Sequence, residues 1–308
     1  MKSLKIACLG EAMIEMIANA SVTSAALGVA GDSMNTAIYL KRALGADHEV
    51  AFVSMVGRDP LSDRIETFIA SEGVSTKLLK RHATKLPGLY TVNTDCAGER
   101  SFCYWREASA ARLMMCDPQG VAFDELAAFD VISASAISLA ILSQADRDGF
   151  FAWLADFRSS GGRFVFDSNY RPALWPDRAI ARREITRAWQ ACDIGLPSVD
   201  DETALFADAH EAAVLSRLRG WGVEHGALKR GALGPVPIES EHAPLPAFQP
   251  AKQVVDTTAA GDSFNGGFLA SYLTTGDVAA ACAVGHALAC EVVGYRGAII
   301  PNPALHSR

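Results

Sequence analysis

Apolar residues along this chain come in two patterns, and the alternation between them predicts its class. Short unbroken runs at residues 5–10, 50–57, 129–135, 161–167 and 193–198 end in glycine, serine or aspartate. Runs of this length bounded by turn residues read as buried strands. Longer stretches between them are spaced for helices. From Asp32 onward, Met34, Ala37, Ile38 and Leu44 can face a core. Asp32 suits the N-cap there, Asn35 follows three positions later, and Gly45 can end the helix. Arg58-Asp59-Pro60 makes a turn that starts an amphipathic helix to about Ser71, and Phe150, Phe151 and Leu154 mark another. Residues 278–294 are rich in Ala, Cys and Val; His286, Glu291 and two glycines there favour a buried helix over a membrane span. Strands alternating with helices predict an α/β fold. Two segments depart from this rhythm. Residues 11–18 read as a strand leaving the core. Residues 88–94 and 101–106 alternate with period two around Asp95-Cys-Ala-Gly98, which predicts a β-hairpin. Phe102, Tyr104 and Arg106 then share a face, and with Tyr90 can point into one pocket.

Composition narrows the class. Half of the 308 residues are hydrophobic, enough for one large domain, or one large and one small. The net charge is −7 with no basic run, which argues against nucleic acid as a partner and means that an anionic substrate needs locally placed cations. Seven cysteines, an odd number with no C-x-x-C pair, read as reduced thiols of a cytoplasmic protein. Glu11 and Glu15 interrupt the first apolar segment, so it does not read as a signal peptide. No G-x-G-x-x-G follows the first strand and no G-x-x-x-x-G-K-[ST] occurs, which disfavours the dehydrogenase and P-loop classes.

The chemistry concentrates at Asp256-Thr-Thr-Ala259-Ala260-Gly261-Asp262-Ser-Phe264-Asn-Gly266. Small residues lead into a helix whose apolar face carries Phe264, Phe268 and Tyr272. A helix N-terminus gathers free N–H groups and the positive end of the dipole, and small side chains let a phosphate approach. Asp262 in the first turn can receive a proton beside that phosphate. An anion cradle and a base at one point suggest phosphoryl transfer to a hydroxyl. An aspartate with no special environment, near pKa ~3.9, would serve if the proton leaves late.

These residues resemble the signature D-T-x-G-A-G-D of the ribokinase-type (PfkB) carbohydrate kinases, with Ala259 in place of the first glycine. Gly31, Asp32 and Asn35 resemble the family's sugar-binding element, with Ala30 replacing a glycine. The runs Leu-Pro-Gly-Leu-Tyr90 and Gly-Glu-Arg-Ser-Phe-Cys-Tyr104-Trp-Arg106, and Asp167-x-Asn169-x-Arg171-x-x-Leu174-Trp175, are similar to the 2-keto-3-deoxygluconate kinases within it. The resemblance implies a single ribokinase-like domain over residues 1–308, with a mostly parallel Rossmann-type sheet flanked by helices. A small β-sheet lid would come from about 11–30 and 82–112. It implies ATP-dependent phosphorylation of 2-keto-3-deoxygluconate at its terminal hydroxyl. Asp262 would be the base and the N–H groups of Ala259, Ala260, Gly261 and Asp262 the charge-stabilising cradle. Gly31, Asp32, Asn35, Tyr90 and Tyr104 would meet the sugar. Arg106, Arg171 or both would bind its carboxylate, which guanidinium does better than ammonium. Ser198, Lys229, Gly231, Gly234 and His286 would lie on the ATP side, although His286 also fits a core histidine. Mg²⁺ would be held through water by Asp201 or Glu202, a choice the spacing leaves open. Asp256, with Thr258, would help hold a monovalent cation such as K⁺. A homo-oligomer through the lid is implied as well. Kinases of other sugars, a non-catalytic sugar sensor, and a nucleotide-binding α/β protein of another class are the rival readings.

Overall fold

The computed structural model describes residues 3–18, 24–94, 100–116 and 118–302. The expected hairpin turn at residues 95–98 lies outside them. The chain runs β1 (Lys5–Leu9), β2 (Met13–Ala18), β3 (Ala25–Ala30), α1 (Asp32–Leu44), β4 (Glu49–Val56) and α2 (Pro60–Ser71). It continues through β5 (Leu79–Arg81), β6 (Gly88–Thr94), β7 (Arg100–Trp105), α3 (Phe123–Leu126), β8 (Val131–Ser135), α4 (Ala136–Ile141) and α5 (Gln144–Ser159). The remaining elements are β9 (Arg163–Asp167), α6 (Arg178–Gln190), β10 (Ile194–Leu196), α7 (Val199–Phe206), α8 (Glu211–Gly220), β11 (His225–Leu228), β12 (Val236–Pro237), α9 (Ala260–Thr275) and α10 (Val278–Val292).

An eight-stranded sheet in the order β12-β11-β10-β9-β8-β1-β4-β5 forms the centre. It is parallel except for β12, which runs antiparallel to β11. Its strands read as continuous apolar runs because both faces are covered. Alternate residues feed two cores. Ala7, Leu9, Phe164 and Phe166 pack with Phe150, Leu154, Ile185 and Trp189 of α5 and α6. Ile6, Cys8, Phe52 and Val165 pack with Met34 and Ile38 of α1 and with Phe264 and Phe268 of α9.

α9 is enclosed on its other side too. A Cβ on Gly266 would come 2.6 Å from Tyr39 Cβ of α1, and one on Gly267 would come 3.2 Å from Gly285 Cα of α10. The glycines are what let three helices meet here, so the face opposite Phe264 and Phe268 is a helix contact.

The second sheet, β3-β2-β6-β7, has four strands. Glu15, Tyr90 and Tyr104 stand in register across it. At its base Met13, Ala30, Tyr90 and Val92 pack with Ala298 and against Ala259. The small sheet therefore meets the large one at the start of α9. Gly31 connects them in extended backbone; a Cβ there would come 2.1 Å from the carbonyl oxygen of Glu11. Gly31, not Asp32, is the N-cap of α1, and it offers no side-chain cap. Asp32 is thereby released from the expected capping role.

Candidate active site

Ligands of parallel α/β sheets bind outside the carboxyl ends of the strands. At that edge β8 ends in Ser135, β9 ends in Asp167, the chain after β11 carries Lys229, and the first turn of α9 carries Asp262. The carboxylate of Asp262 accepts a hydrogen bond from Asn35 Nδ2 at 2.8 Å. Asp32 accepts one from Ser135 Oγ, and another from Asn169 Nδ2 at 3.0 Å.

Burial pushes the pKa of Asp262 up to about 7, and the charges of Asp32 and Asp167 push the same way against the Asn35 hydrogen bond and Lys229. The expectation of an unperturbed aspartate is corrected here. A carboxyl raised toward neutral pH is one that could serve as a general base.

The N–H groups of Ala259, Gly261 and Asp262 have no acceptor among the described residues, whereas that of Ala260 donates to Thr257 O at 3.2 Å. Three of the four expected donors are thus left without a backbone acceptor among the described residues. The turn that presents them requires Ala259 at φ 60°, ψ 17°, in the left-handed region. That is the position at which the signature has glycine, so Ala259 carries left-handed strain that a glycine would not.

Lys229 Nζ donates to Asp167 Oδ1 at 2.9 Å and to Asn265 Oδ1 at 3.1 Å. Asn265 Nδ2 returns a bond to Asp167 Oδ2 at 2.8 Å. A cavity of about 280 Å³ adjoins this group, lined by Lys229, Gly231, Gly234, Gly261, Phe264 and His286 among others. Asp262 lies outside that lining. One side of the α9 N-terminus therefore borders the cavity, and the other borders Asp32, Asn35 and Asp262.

The sequence profile of the pfkB family carbohydrate kinases matches residues 3–305. The chain belongs to this family. A 2-dehydro-3-deoxygluconokinase of Dickeya dadantii is 40% identical, covering 99% of this chain and 99% of that protein. One of Haemophilus influenzae is 36% identical, covering 98% and 97%. The crystal structure of fructokinase from Vibrio cholerae O395 superposes with a TM-score of 0.83 at 21% identity, covering 100% of this chain and 99% of that one. Its fold is the fold described above.

Against the family pattern, several expected residues sit differently. Arg106 is buried. Its Nε donates to Glu11 Oε2 at 2.8 Å, and its Nη2 meets the same oxygen. Its charge is already balanced within the protein. Arg171 is more open, with its side chain 54% exposed and Nη1 3.4 Å from Asp201 Oδ1. Tyr90 is buried and donates to Glu15 Oε1 at 2.6 Å, while Tyr104, stacked on it, is exposed.

Of the two acids left open for the metal, Glu202 points away. It accepts from Trp189 Nε1 at 3.2 Å and Arg217 Nη2 at 2.9 Å, and burial pushes its pKa up to about 7. Asp201 faces the site, accepting from Ser168 Oγ at 3.3 Å, and burial, then the charge of Asp167, raises its pKa. Ser198 is the N-cap of α7 and bridges to Lys229, outside the cavity lining. Both oxygens of Asp256 accept from the chain, Oδ1 from Thr258 N and Oγ1 and Oδ2 from Gly297 N. His286 Nε2 lies 2.7 Å from Gln249 O, and its ring packs on Phe248 at the cavity wall.

Sequence reasoning gave no role to Asp167, Asn169, Asn265, Ser135 or Glu11. Asp167 and Asn169 were within reach, because they open the same motif as Arg171. Asn265 lies one helical turn beyond Asp262, on the same face. Nothing in the sequence marks Glu11 as the partner of Arg106.

Proposed function

We propose that this chain transfers the γ-phosphoryl group of ATP to the terminal hydroxyl of 2-keto-3-deoxygluconate, giving 2-keto-3-deoxy-6-phosphogluconate and ADP. The observation that carries the reading is a buried carboxyl, its pKa raised to about 7, beside N–H donors left without a backbone acceptor at one helix N-terminus. The base removes the hydroxyl proton while the donors stabilise charge on the transferred group. The identity of 36–40% over nearly the whole length of the gluconokinase relatives supports the substrate. Asp32 and Asn35 lie where a sugar hydroxyl would meet Asp262. Arg171 is the better placed cation for the carboxylate, since Arg106 is matched by Glu11.

ATP fits the cavity beside Lys229, with Gly231, Gly234 and His286 in its wall. No cluster of three or more metal-ligating side chains occurs among the described residues. That suits Mg²⁺, which retains water and is held mainly by substrate phosphates. Asp201, its carboxyl desolvated and only loosely bonded, would hold it through water, and the ion would neutralise phosphate charge. Asp256 accepts from Thr258 N, Thr258 Oγ1 and Gly297 N, and with Thr258 would help hold a monovalent cation such as K⁺.

The small sheet exposes Ile17, Leu27, Phe102, Tyr104 and Trp105. We read it as a lid over the sugar and as the contact of a homo-oligomer. No helix of the described residues is long and apolar enough to cross a membrane. The six described cysteines are free thiols, in keeping with a cytoplasmic enzyme. Coupled ADP detection over a panel of 2-keto-3-deoxygluconate, its stereoisomers, fructose and ribose tests the assignment. Turnover of neutral sugars alone would overturn the substrate, and turnover of none would overturn the kinase.

A further inference from the structure

Lys229 is held unusually firmly for a lysine beside a cavity. Its side chain is 12% exposed, as is that of Asp167. An ammonium has three donors. Two of them go to Asp167 Oδ1 and Asn265 Oδ1, and the third has no protein acceptor among the described residues. The Asn265 amide is fixed in turn, because its Nδ2 binds the other oxygen of Asp167. Asp167 is further tied down by the N–H of Asn169 at 3.2 Å. The result is a closed ring of three side chains from β9, the chain after β11, and α9. It leaves Nζ 3.7 Å from where a Cβ on Gly261 would stand, one residue from Asp262 and on the cavity side.

We propose that Lys229 is a catalytic cation for the transferred phosphoryl group, and that Asp167 and Asn265 are the positioning residues that aim it. This deepens the kinase reading and rests on it. In the transfer the sugar oxygen–phosphorus bond forms and the bond from the γ-phosphorus to the bridging oxygen breaks. That electron pair leaves with ADP, and the hydroxyl proton goes to Asp262. Lys229 keeps its protons throughout. It contributes one charge-assisted hydrogen bond to an oxygen of the group in flight, from a side chain only 12% exposed whose donor need not reorganise. Without the ring, a lysine's flexible stem would leave the charge poorly aimed. Asp32 and Tyr39 face Asp262 from α1 and Asp167 faces it from β9, while the charge of Lys229 acts on it in the opposite sense to the two aspartates.

The alternative is that Lys229 only neutralises the buried Asp167. Single-turnover phosphoryl transfer, ATP binding and thermal unfolding of four variants separate the two. Lys229→Met is expected to slow transfer about 10²–10³-fold, the worth of one preorganised donor, with the KM for the sugar acid unchanged. Lys229→Arg should recover part of that rate. Asp167→Asn is expected to slow transfer about 10–100-fold, the worth of a hydrogen bond to a charged group. The acid limb of the pH–rate profile should move up in Lys229→Met and down in Asp167→Asn, since each removes an opposite influence on Asp262.

The double variant Lys229→Met/Asp167→Leu replaces the pair by apolar groups, a change buried ion pairs generally tolerate. It should melt no lower than the single variants and remain as slow as Lys229→Met. Recovery of the wild-type rate in the double variant would overturn the proposal, as would acid limbs that stay in place. A wild type that phosphorylates a different sugar overturns only the substrate assignment, and the series is then read on that sugar. A wild type that turns over no sugar overturns both.

Discussion

Replacing Asp262 with asparagine separates the two consequences of its surroundings. The variant keeps the side chain's size and an acceptor for Asn35 Nδ2, and it removes the charge. In the folded protein burial, then Asp32, pushes this carboxyl up to about 7. In the unfolded chain an aspartate titrates near ~3.9. A folded-state pKa above the unfolded one gives stability that is complete below about pH 4. That stability is lost as pH rises to about 7, because the fold must then hold a charge it disfavours. Three units in full would be worth about 4 kcal/mol. The residue retains some solvent contact, so screening reduces this to ~2 kcal/mol. With about 2.1 cal/mol/K of unfolding entropy per residue, the equivalent for 308 residues is about 3 °C. Asp262→Asn should therefore gain about 2 °C over the wild type between pH 5 and pH 8, roughly two-thirds of the full effect, while kcat falls about 10²–10⁴-fold. Calorimetric scans across that range, paired with steady-state kinetics at pH 8, measure both. A melting gap that stays constant or shrinks as pH rises would refute the charge argument. Near-wild-type kcat would remove Asp262 from the role of base.

Three further outcomes are expected. Arg171→Lys should raise the KM for the sugar acid about tenfold, the worth of one charged hydrogen bond, and leave the KM for ATP unchanged; initial-rate kinetics in both substrates check this. Ala259→Gly should change the melting temperature little, since relief of ~1 kcal/mol of left-handed strain is offset by ~0.4–1 kcal/mol of added freedom in the unfolded chain. Ala259→Val cannot sit comfortably at φ 60° and should lower kcat about tenfold or more as the donors shift. Arg217→Met should cost about 3–5 kcal/mol in chemical denaturation by stranding Glu202 without its ion pair, and the deficit should grow with pH as that carboxyl is forced to ionise.

The sequence reading reached the parts of the molecule governed by local pattern. The apolar runs became strands of one sheet because burial on both faces leaves them no polar alternation. Asp262 was located because a first-turn acid after small residues is a local arrangement. What the sequence withheld were pairings between distant segments. Asp32 looked like a helix cap, and only the approach of Ser135 and Asn169 shows its carboxylate turned into the site. Arg106 and Arg171 looked equivalent until Glu11, 95 positions away, was seen to claim the first. Asp201 and Glu202 are neighbours in the chain, and helix geometry sends them in different directions, one to Ser168 and one to Trp189. The pKa of Asp262 was illegible for the same reason, since its causes lie on α1, β9 and the chain after β11.

The crowding of acids has a mechanistic meaning of its own. Asp32, Asp167, Asp201 and Asp262 converge where a sugar acid and a nucleotide, both anions, would meet, and Lys229 and Arg171 supply the nearby cations. Four ionised carboxylates there would repel both substrates. Burial raises the Asp262 pKa to about 7, which lowers the mean charge of this carboxyl near neutral pH and lessens that repulsion. Where the nucleotide's divalent ion lies nearer Asp262 than its phosphate charges do, the ion favours the carboxylate again. The base would then become fully available once the phosphoryl donor is in place. On this argument the acid limb of kcat/KM for the sugar at saturating MgATP lies below that of kcat/KM for MgATP, which reports the protein before the nucleotide binds. Equal limbs would show that the nucleotide's charge does not reach Asp262.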